Sequence, residues 1–272
     1  MAYGLLNGKR GIISGALNEQ SIAWKVAQKA KEEGASFVLT NAPIAMRMGE
    51  INRLAEQCNA EIIPADATSV DELEKLFSQS QEVLGGKIDF VLHSIGMSPN
   101  IRKGRAYTDL NYEWFKQSLD VSALSLHKML QVAYKQDALA EWGSVVALTY
   151  MAAQRTFPFY TDMAEAKAML ESITRSFGYH YGKFRKVRVN TVSQSPTVTT
   201  AGSGITGFEE FYEFAGKMAP LGNATAEDCA NYVVTLFSDL TRMVTMQNLF
   251  HDGGFMSTGV SGELMGTVEA KQ

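Results

Sequence analysis

Apolar positions along this chain follow two alternating periods. Residues 11–14, 36–40, 61–64, 88–93, 144–149, 187–192 and 246–251 form short runs rich in aliphatic and β-branched side chains. Near-continuous apolar runs of that length read as strands buried on both faces. In the intervening segments 22–33, 70–84, 112–134, 164–181 and 226–237 apolar residues recur at helical spacing. The alternation predicts an α/β fold: a Rossmann-type, doubly wound parallel sheet of about seven strands with helices on both faces.

Turn chemistry fits that division. Gly34, Gly85-Gly86, Gly143 and Gly182 are expected between a helix and the next strand, where a left-handed C-terminal cap is wanted. Ser69 with Glu72 predicts a capping box for helix 70–84. The alternation breaks only at 193–218, where a Ser-, Thr- and Gly-rich stretch precedes a short aromatic helix. A long insertion after a strand's carboxyl end is a candidate substrate lid. No repeat or linker divides the sequence, so residues 1–272 are read as one domain carrying this loop.

Composition narrows the function. With 46% hydrophobic residues, 20% charged residues and a net charge of -4, the chain suits a soluble globular protein and lacks the basic stripe of a nucleic-acid binder. The first ten residues do not form a signal peptide, and no apolar run is long enough to span a bilayer, so a cytoplasmic protein is expected. Cys58 and Cys229 stand apart without CxxC spacing, which predicts reduced thiols and no metal site.

The chemistry concentrates after the strand 144–149. Tyr150 ends that strand, Tyr160 follows, and Lys167 lies seven residues further on. Most such pairs are a half-buried ring and a solvated amine; the strand's carboxyl end singles this one out, because ligands bind there in open α/β sheets. At 3.6 residues per turn Tyr160 and Lys167 would share a helix face. An ammonium there is expected to lower the phenol's pKa, giving a donor for an anion that forms on a substrate oxygen during hydride transfer. Asp162 and Glu165 could instead cap the helix just after Tyr160, placing that tyrosine before the first turn.

A nucleotide site is expected at the other strand ends. Ser14-Gly15-Ala16 leads through a loop to Ser21-Ile22-Ala23, which resembles a dinucleotide-binding turn with one glycine in place of GxGxxG. Ser21 also reads as a simple helix cap. Asp66, with Ala67 beside it, either accepts a hydrogen bond from an adenine amino group or is a solvated loop acid. Ser94-Ile95-Gly96 leaves room for a ribose and nicotinamide, and His93 reads as a packed strand-end residue. At Thr40-Asn41-Ala42 no acid or base marks the ribose 2′-position, and the nearest base is Arg47. With nothing to neutralise an extra phosphate, NADH is favoured over NADPH.

These segments, together with Arg188-Val189-Asn190, Pro196 and His251-Asp252-Gly253-Gly254, resemble bacterial enoyl-acyl carrier protein reductases, a divergent branch of the short-chain dehydrogenases. The resemblance covers essentially the whole chain. Its most discriminating mark is the wide Tyr-to-Lys spacing, since carbonyl-reducing members place the lysine one helical turn after the tyrosine. Enoyl reduction separates the β carbon that receives hydride from the carbonyl oxygen that gains charge, and the wider spacing suits that separation.

The resemblance implies an oxidoreductase of type II fatty acid synthesis that acts on CH-CH donors and reduces trans-2-enoyl thioesters. Tyr160, Lys167 and Tyr150 would be catalytic, with Tyr160 on the thioester oxygen, Lys167 on the nicotinamide ribose and Tyr150 beside the acyl chain. Gly15, Ser21, Ile22, Asp66, Ala67, Ser94, Ile95, Gly96, Pro196, Thr197 and Thr199 would bind NADH. Met163, Phe157, Ile205, Phe208 and Phe211 would wall the acyl slot. An enoyl-acyl carrier protein substrate and a homotetramer, assembled through the helices after the fourth and fifth strands, are implied; no nucleic-acid or membrane partner is. A ketone- or alcohol-specific dehydrogenase and a non-catalytic nucleotide binder remain the alternatives. Two departures stand out: Ser193-Gln194-Ser195-Pro196-Thr197 replaces the family's Ser-Ala-Gly-Pro-aliphatic run, and the lid helix carries Glu209, Glu210 and Glu213. An acidic carrier would therefore dock on bases elsewhere, with Arg102, Lys103, Arg105, Arg155 and Lys217 as candidates.

Overall fold

Alternating strands and helices run the length of the computed structural model, which describes residues 2–47, 50–200, 202 and 207–267. The first half comprises β1 (Arg10–Ser14), α1 (Ile22–Glu32), β2 (Ser36–Thr40), α2 (Pro43–Met46), α3 (Glu50–Cys58), β3 (Glu61–Ile62), α4 (Val70–Leu84), β4 (Ile88–His93) and α5 (Pro99–Arg102). The second comprises α6 (Tyr112–Leu119), a π-helical segment (Asp120–Leu124), α7 (Ser125–Lys135), β5 (Leu139–Thr149), α8 (Met163–Arg185), β6 (Arg188–Gln194), α9 (Phe208–Met218), α10 (Ala226–Phe237) and β7 (Asn248–His251). All strand pairs are parallel, in the order β3-β2-β1-β4-β5-β6-β7.

Successive strand residues point to opposite faces, so each face builds its own core. Ile13, Phe90 and Val192 pack with Trp24, Ala27, Val233 and Phe237 from α1 and α10. Ile12, Val91 and Val189 pack on the other side with Leu76, Leu130, Leu170 and Tyr181 from α4, α7 and α8. The chain winds outward from β1 through β2 to β3, then returns to β4 on β1's other side. That reversal leaves a crevice beyond the carboxyl ends of β1 and β4, where Ser14 pairs with His93.

Several local expectations are corrected. The expected helix 112–134 is interrupted by the π-helical segment, whose extra residue per turn the apolar spacing does not register. Gly143 lies within β5 and Gly182 within α8, which runs on to Arg185 and is closed by left-handed Lys186. Gly34, Gly85 and Gly86 do take positive φ between helix and strand. Ser69 accepts a hydrogen bond from Glu72 N, but the Glu72 carboxylate bonds Asp66 N, so the expected capping box is only half formed. Helix α3 was not foreseen. Among the described residues no helix is long and apolar enough to cross a membrane, and no three His, Cys, Asp or Glu side chains gather as a metal site. Cys58 and Cys229 are buried free thiols.

Candidate active site

The crevice is narrow where β1 and β4 end. Gly15 has φ +89°, and a Cβ built there would stand 1.9 Å from the Ser94 carbonyl oxygen, so only glycine fits. The Ser21 hydroxyl does not cap α1; it accepts from Leu17 N and Asn18 N at 3.1 and 3.2 Å and closes the loop. The opening N–H groups of α1, at Ile22 and Ala23, are thereby left for an anion. Asn18 donates to Thr200 Oγ1 at 2.6 Å, linking this loop to the segment after β6.

Thr40, Asn41, Asp66, Ala67, Ile95 and Val121 line a cavity at one end of the crevice. Asp66 is less free than expected: its Oδ1 accepts from both the amide and the hydroxyl of Thr68 at 2.8 Å, leaving Oδ2 for an adenine amino group. Asn41 donates to the Ala16 carbonyl and accepts from Ala42 N. Arg47 is exposed beyond α2. Among the described residues no cation lines this cavity.

At its other end, a Cβ on Gly96 would lie 3.4 Å from Met163 Cε and 3.7 Å from Lys167 Nζ. The missing side chain keeps a slot open beside that ammonium. Lys167 donates to the Leu148 carbonyl at 2.8 Å, which leaves two N–H donors for ribose hydroxyls. Burial pushes its pKa down to about 8, against a weaker upward pull from Glu171. Pro196 is buried, and Thr197 bonds Gln194 and the Ser195 carbonyl. Thr199 accepts from Gly202 N, closing a turn. Glycine clearance, open helix N–H groups and a buried ammonium in one crevice fit a dinucleotide.

Tyr160 lies before α8, in a turn where its N–H donates to Phe157 O and its own carbonyl accepts from Met163 N. The expected shared helix face with Lys167 therefore does not form; of the two placements read from the sequence, the structure takes the one before the first turn. The expected drop in the phenol's pKa is also overturned. Burial pushes Tyr160 upward, and it does the same to Tyr150, to which the neighbouring Tyr160 adds. Both phenols stay neutral, and among the described residues neither hydroxyl has a hydrogen-bond partner. The two rings lie 5.0 Å apart, with Phe157 6.0 Å from Tyr150 and 5.9 Å from Tyr160.

Phe211 of α9 reaches this cluster, 4.3 Å from Phe157. Phe208, expected at the acyl wall, pairs with Tyr212 and lines an acidic surface pocket with Glu209, Glu210 and Glu213. Met163 is buried against Ser122, beneath Gly96. Ile205 lies outside the described residues. His93 is a packed residue: Ser125 donates to Val121 O, so it accepts from His93 Nε2, and burial, then Lys167, pushes the imidazole down to about 3.

Sequence reasoning missed three polar supports. Ser122, in the π-helical segment, both accepts from Met97 N and reaches Met97 O, at 3.0 and 3.1 Å. Glu171, one turn beyond Lys167, accepts from Thr149, Gln154 and Asn248. Asp162, read as a cap, is buried among side-chain donors. For Ser122 and Glu171 the sequence signal was a polar residue inside an expected helix, and for Asp162 it was only a candidate cap.

The profile of the family described as Enoyl-(Acyl carrier protein) reductase matches residues 15–256. Enoyl-[acyl-carrier-protein] reductase [NADH] 2 of Rhizobium meliloti is 33% identical over 259 residues, covering 94% of this chain and 95% of the relative. The crystal structure of a FabI-NADH complex from Alistipes finegoldii superposes with a TM-score of 0.97 at 63% identity, covering 99% of this chain and 95% of that one. The Bacillus cereus enoyl-acyl carrier protein reductase, solved with NADP+ and an indole naphthyridinone, gives 0.88 at 29% identity, covering 96% and 100%. With that match spanning the crevice, both tyrosines and Lys167, the chain belongs to the enoyl-acyl carrier protein reductase family.

Proposed function

We propose that this protein is an NADH-dependent enoyl-acyl carrier protein reductase of type II fatty acid synthesis, converting trans-2-enoyl thioesters to saturated acyl thioesters. The observation that carries the reading is the buried Lys167 ammonium, which lines the dinucleotide crevice and bonds Leu148 O near the end of β5, with Tyr150 directly after that strand and in ring contact with Tyr160. Bound NADH supplies the hydride for the β carbon. Lys167 would hold the ribose hydroxyls, and the open end of α1 would take the pyrophosphate. Tyr160 donates a hydrogen bond to the thioester oxygen and stabilises the enolate there; burial pushes its pKa upward, which favours the neutral, donating phenol. Tyr150, Phe157 and Phe211 shield the acyl chain from water.

NADH is preferred over NADPH because Asn41 is spent on Ala16 O and, among the described residues, no cation lines that end of the crevice. The enoyl group arrives on acyl carrier protein, which docks on bases at the mouth. Of these, Arg105 is already paired with Asp109, whereas Arg102 and Lys103 have no ionic partner among the described residues. Assembly is as a homotetramer in the cytoplasm, and the exposed Tyr112, Tyr179 and Phe184 on α6 and α8 are apolar surface for it. NADH oxidation with crotonyl thioester, compared with simple ketones, tests the activity. Turnover of the ketone with an inert thioester would replace this reading by a carbonyl reductase.

A further inference from the structure

We infer that Asp162 is a positioning residue for the reduction: its carboxylate clamps the turn that presents Tyr160 to the loop following β4. The inference rests on the role proposed for Tyr160. Asp162 has no solvent exposure. It occupies the cap position of α8, yet its side chain bonds no N–H of that helix. Its oxygens go to side chains instead. Oδ1 accepts from Ser98 Oγ at 2.6 Å and Thr161 Oγ1 at 3.0 Å; Oδ2 accepts from Asn100 Nδ2 at 2.8 Å and Ser118 Oγ at 2.7 Å. The single Ser118 hydrogen is shared with the Trp114 carbonyl at 2.9 Å. All four partners are buried as well.

Taking a carboxylate out of water is costly unless its oxygens are bonded, and a solvent-exposed Asp or Ser would cap the helix without that cost. The burial serves a different geometry. Thr161 has φ +38°, a left-handed conformation that a β-branched residue adopts only when its surroundings impose it. Its hydroxyl is held by Asp162, and Asp162 is in turn held by Ser98 and Asn100. Immediately before Thr161 stands Tyr160, whose ring packs on Tyr150 and Phe157 and whose hydroxyl has no hydrogen-bond partner among the described residues. The position of its hydroxyl is therefore set by this turn.

The far end of the clamp matters equally. Ser98 and Asn100 follow Gly96, which lines the slot beside Lys167, and Met97, between Gly96 and Ser98, is pinned to Ser122 of the π-helical segment. Asp162 thus ties the wall that carries the phenol to the wall beside the nicotinamide. The distance between the donor to the enolate oxygen and the cofactor is fixed by one carboxylate.

The test is a kinetic cycle of Asp162→Asn, Tyr160→Phe and the double variant, with NADH and crotonyl thioester. The amide turns a donor toward partners that already donate. Asp162→Asn is expected to lower kcat on the order of 10- to 100-fold, the scale of a misplacement near 1 Å, with the NADH Kd from fluorescence changed less than about twofold. In the Tyr160→Phe background the same substitution should have no further effect. Ser98→Ala, which removes one donor and keeps the carboxylate, should act in the same direction more weakly, and it carries the cycle if Asp162→Asn fails to fold. A lowered Tm with full kcat in the folded variant, or losses that multiply in the double variant, overturns the inference while leaving the role of Tyr160 intact. Full activity of Tyr160→Phe alone overturns that role, and the inference with it.

Discussion

Lys167 makes NADH affinity depend on pH over a window set by burial. Its ammonium pKa is pushed from 10.5 down to about 8. With that value the side chain is about 90% charged at pH 7 and about 10% charged at pH 9. If the charged form is what grips the ribose, the NADH Kd should rise about tenfold between those pH values. Titrations by NADH fluorescence at pH 7, 8 and 9, on wild type and Lys167→Met, measure it directly. The variant should bind weakly with no such slope. Stability should move the opposite way: between about pH 8 and 10.5 the unfolded chain holds a proton that the folded one has released, so burial of Lys167 costs less as pH rises. The wild-type Tm should therefore gain on that of Lys167→Met across this window. A Kd that stays flat from pH 7 to 9 in the wild type would refute the reasoning.

The remaining predictions concern separate parts of the site. Tyr160→Phe should cost about 2.7 to 4 kcal/mol in kcat, as for loss of an oxyanion donor, while NADH binding is retained; a decrease confined to KM would contradict it. Gly15→Ala forces a Cβ to within 1.9 Å of the Ser94 carbonyl at a positive φ, so it should abolish NADH binding and lower stability by at least about 2 kcal/mol. Calorimetry and thermal unfolding check both effects, and unchanged affinity would show that β1 and β4 can separate. Reversing Arg102 and Lys103 to Glu should raise KM for enoyl-carrier substrates and flatten its salt dependence, with small thioesters unaffected; a carrier KM that does not move would place docking elsewhere.

The framework of the fold was legible because a strand buried on both faces needs a continuous apolar run. Ile88–His93 and Ser36–Thr40 have that run, and both strands form as expected. The sheet order then places Gly15, Ser94 and Gly96 at one crevice without further information. What stayed hidden depended on distant partners or on a subtler period. The π-helical segment preserves apolar spacing well enough to read as one helix. Gly143 and Gly182 look like caps because glycine suits a cap, yet Gly143 stands in β5, where a Cβ would meet the Ala140 carbonyl at 2.9 Å. Asp162 was visible as a cap, but its partners Ser98 and Asn100 lie more than sixty positions away, and only the fold brings them together. The expected drop in the phenol's pKa fails because burial, which the sequence does not show, pushes it upward.

The central claim is that hydride goes to the β carbon while Tyr160 stabilises the enolate. The direct measurement is isotopic: NADH deuterated at the transferred position is incubated with a trans-2-enoyl thioester, and the product is analysed by NMR and mass spectrometry. The account predicts one deuterium at the β carbon of a saturated thioester and a solvent proton at the α carbon. Deuterium at the carbonyl carbon, with the double bond intact, would contradict it.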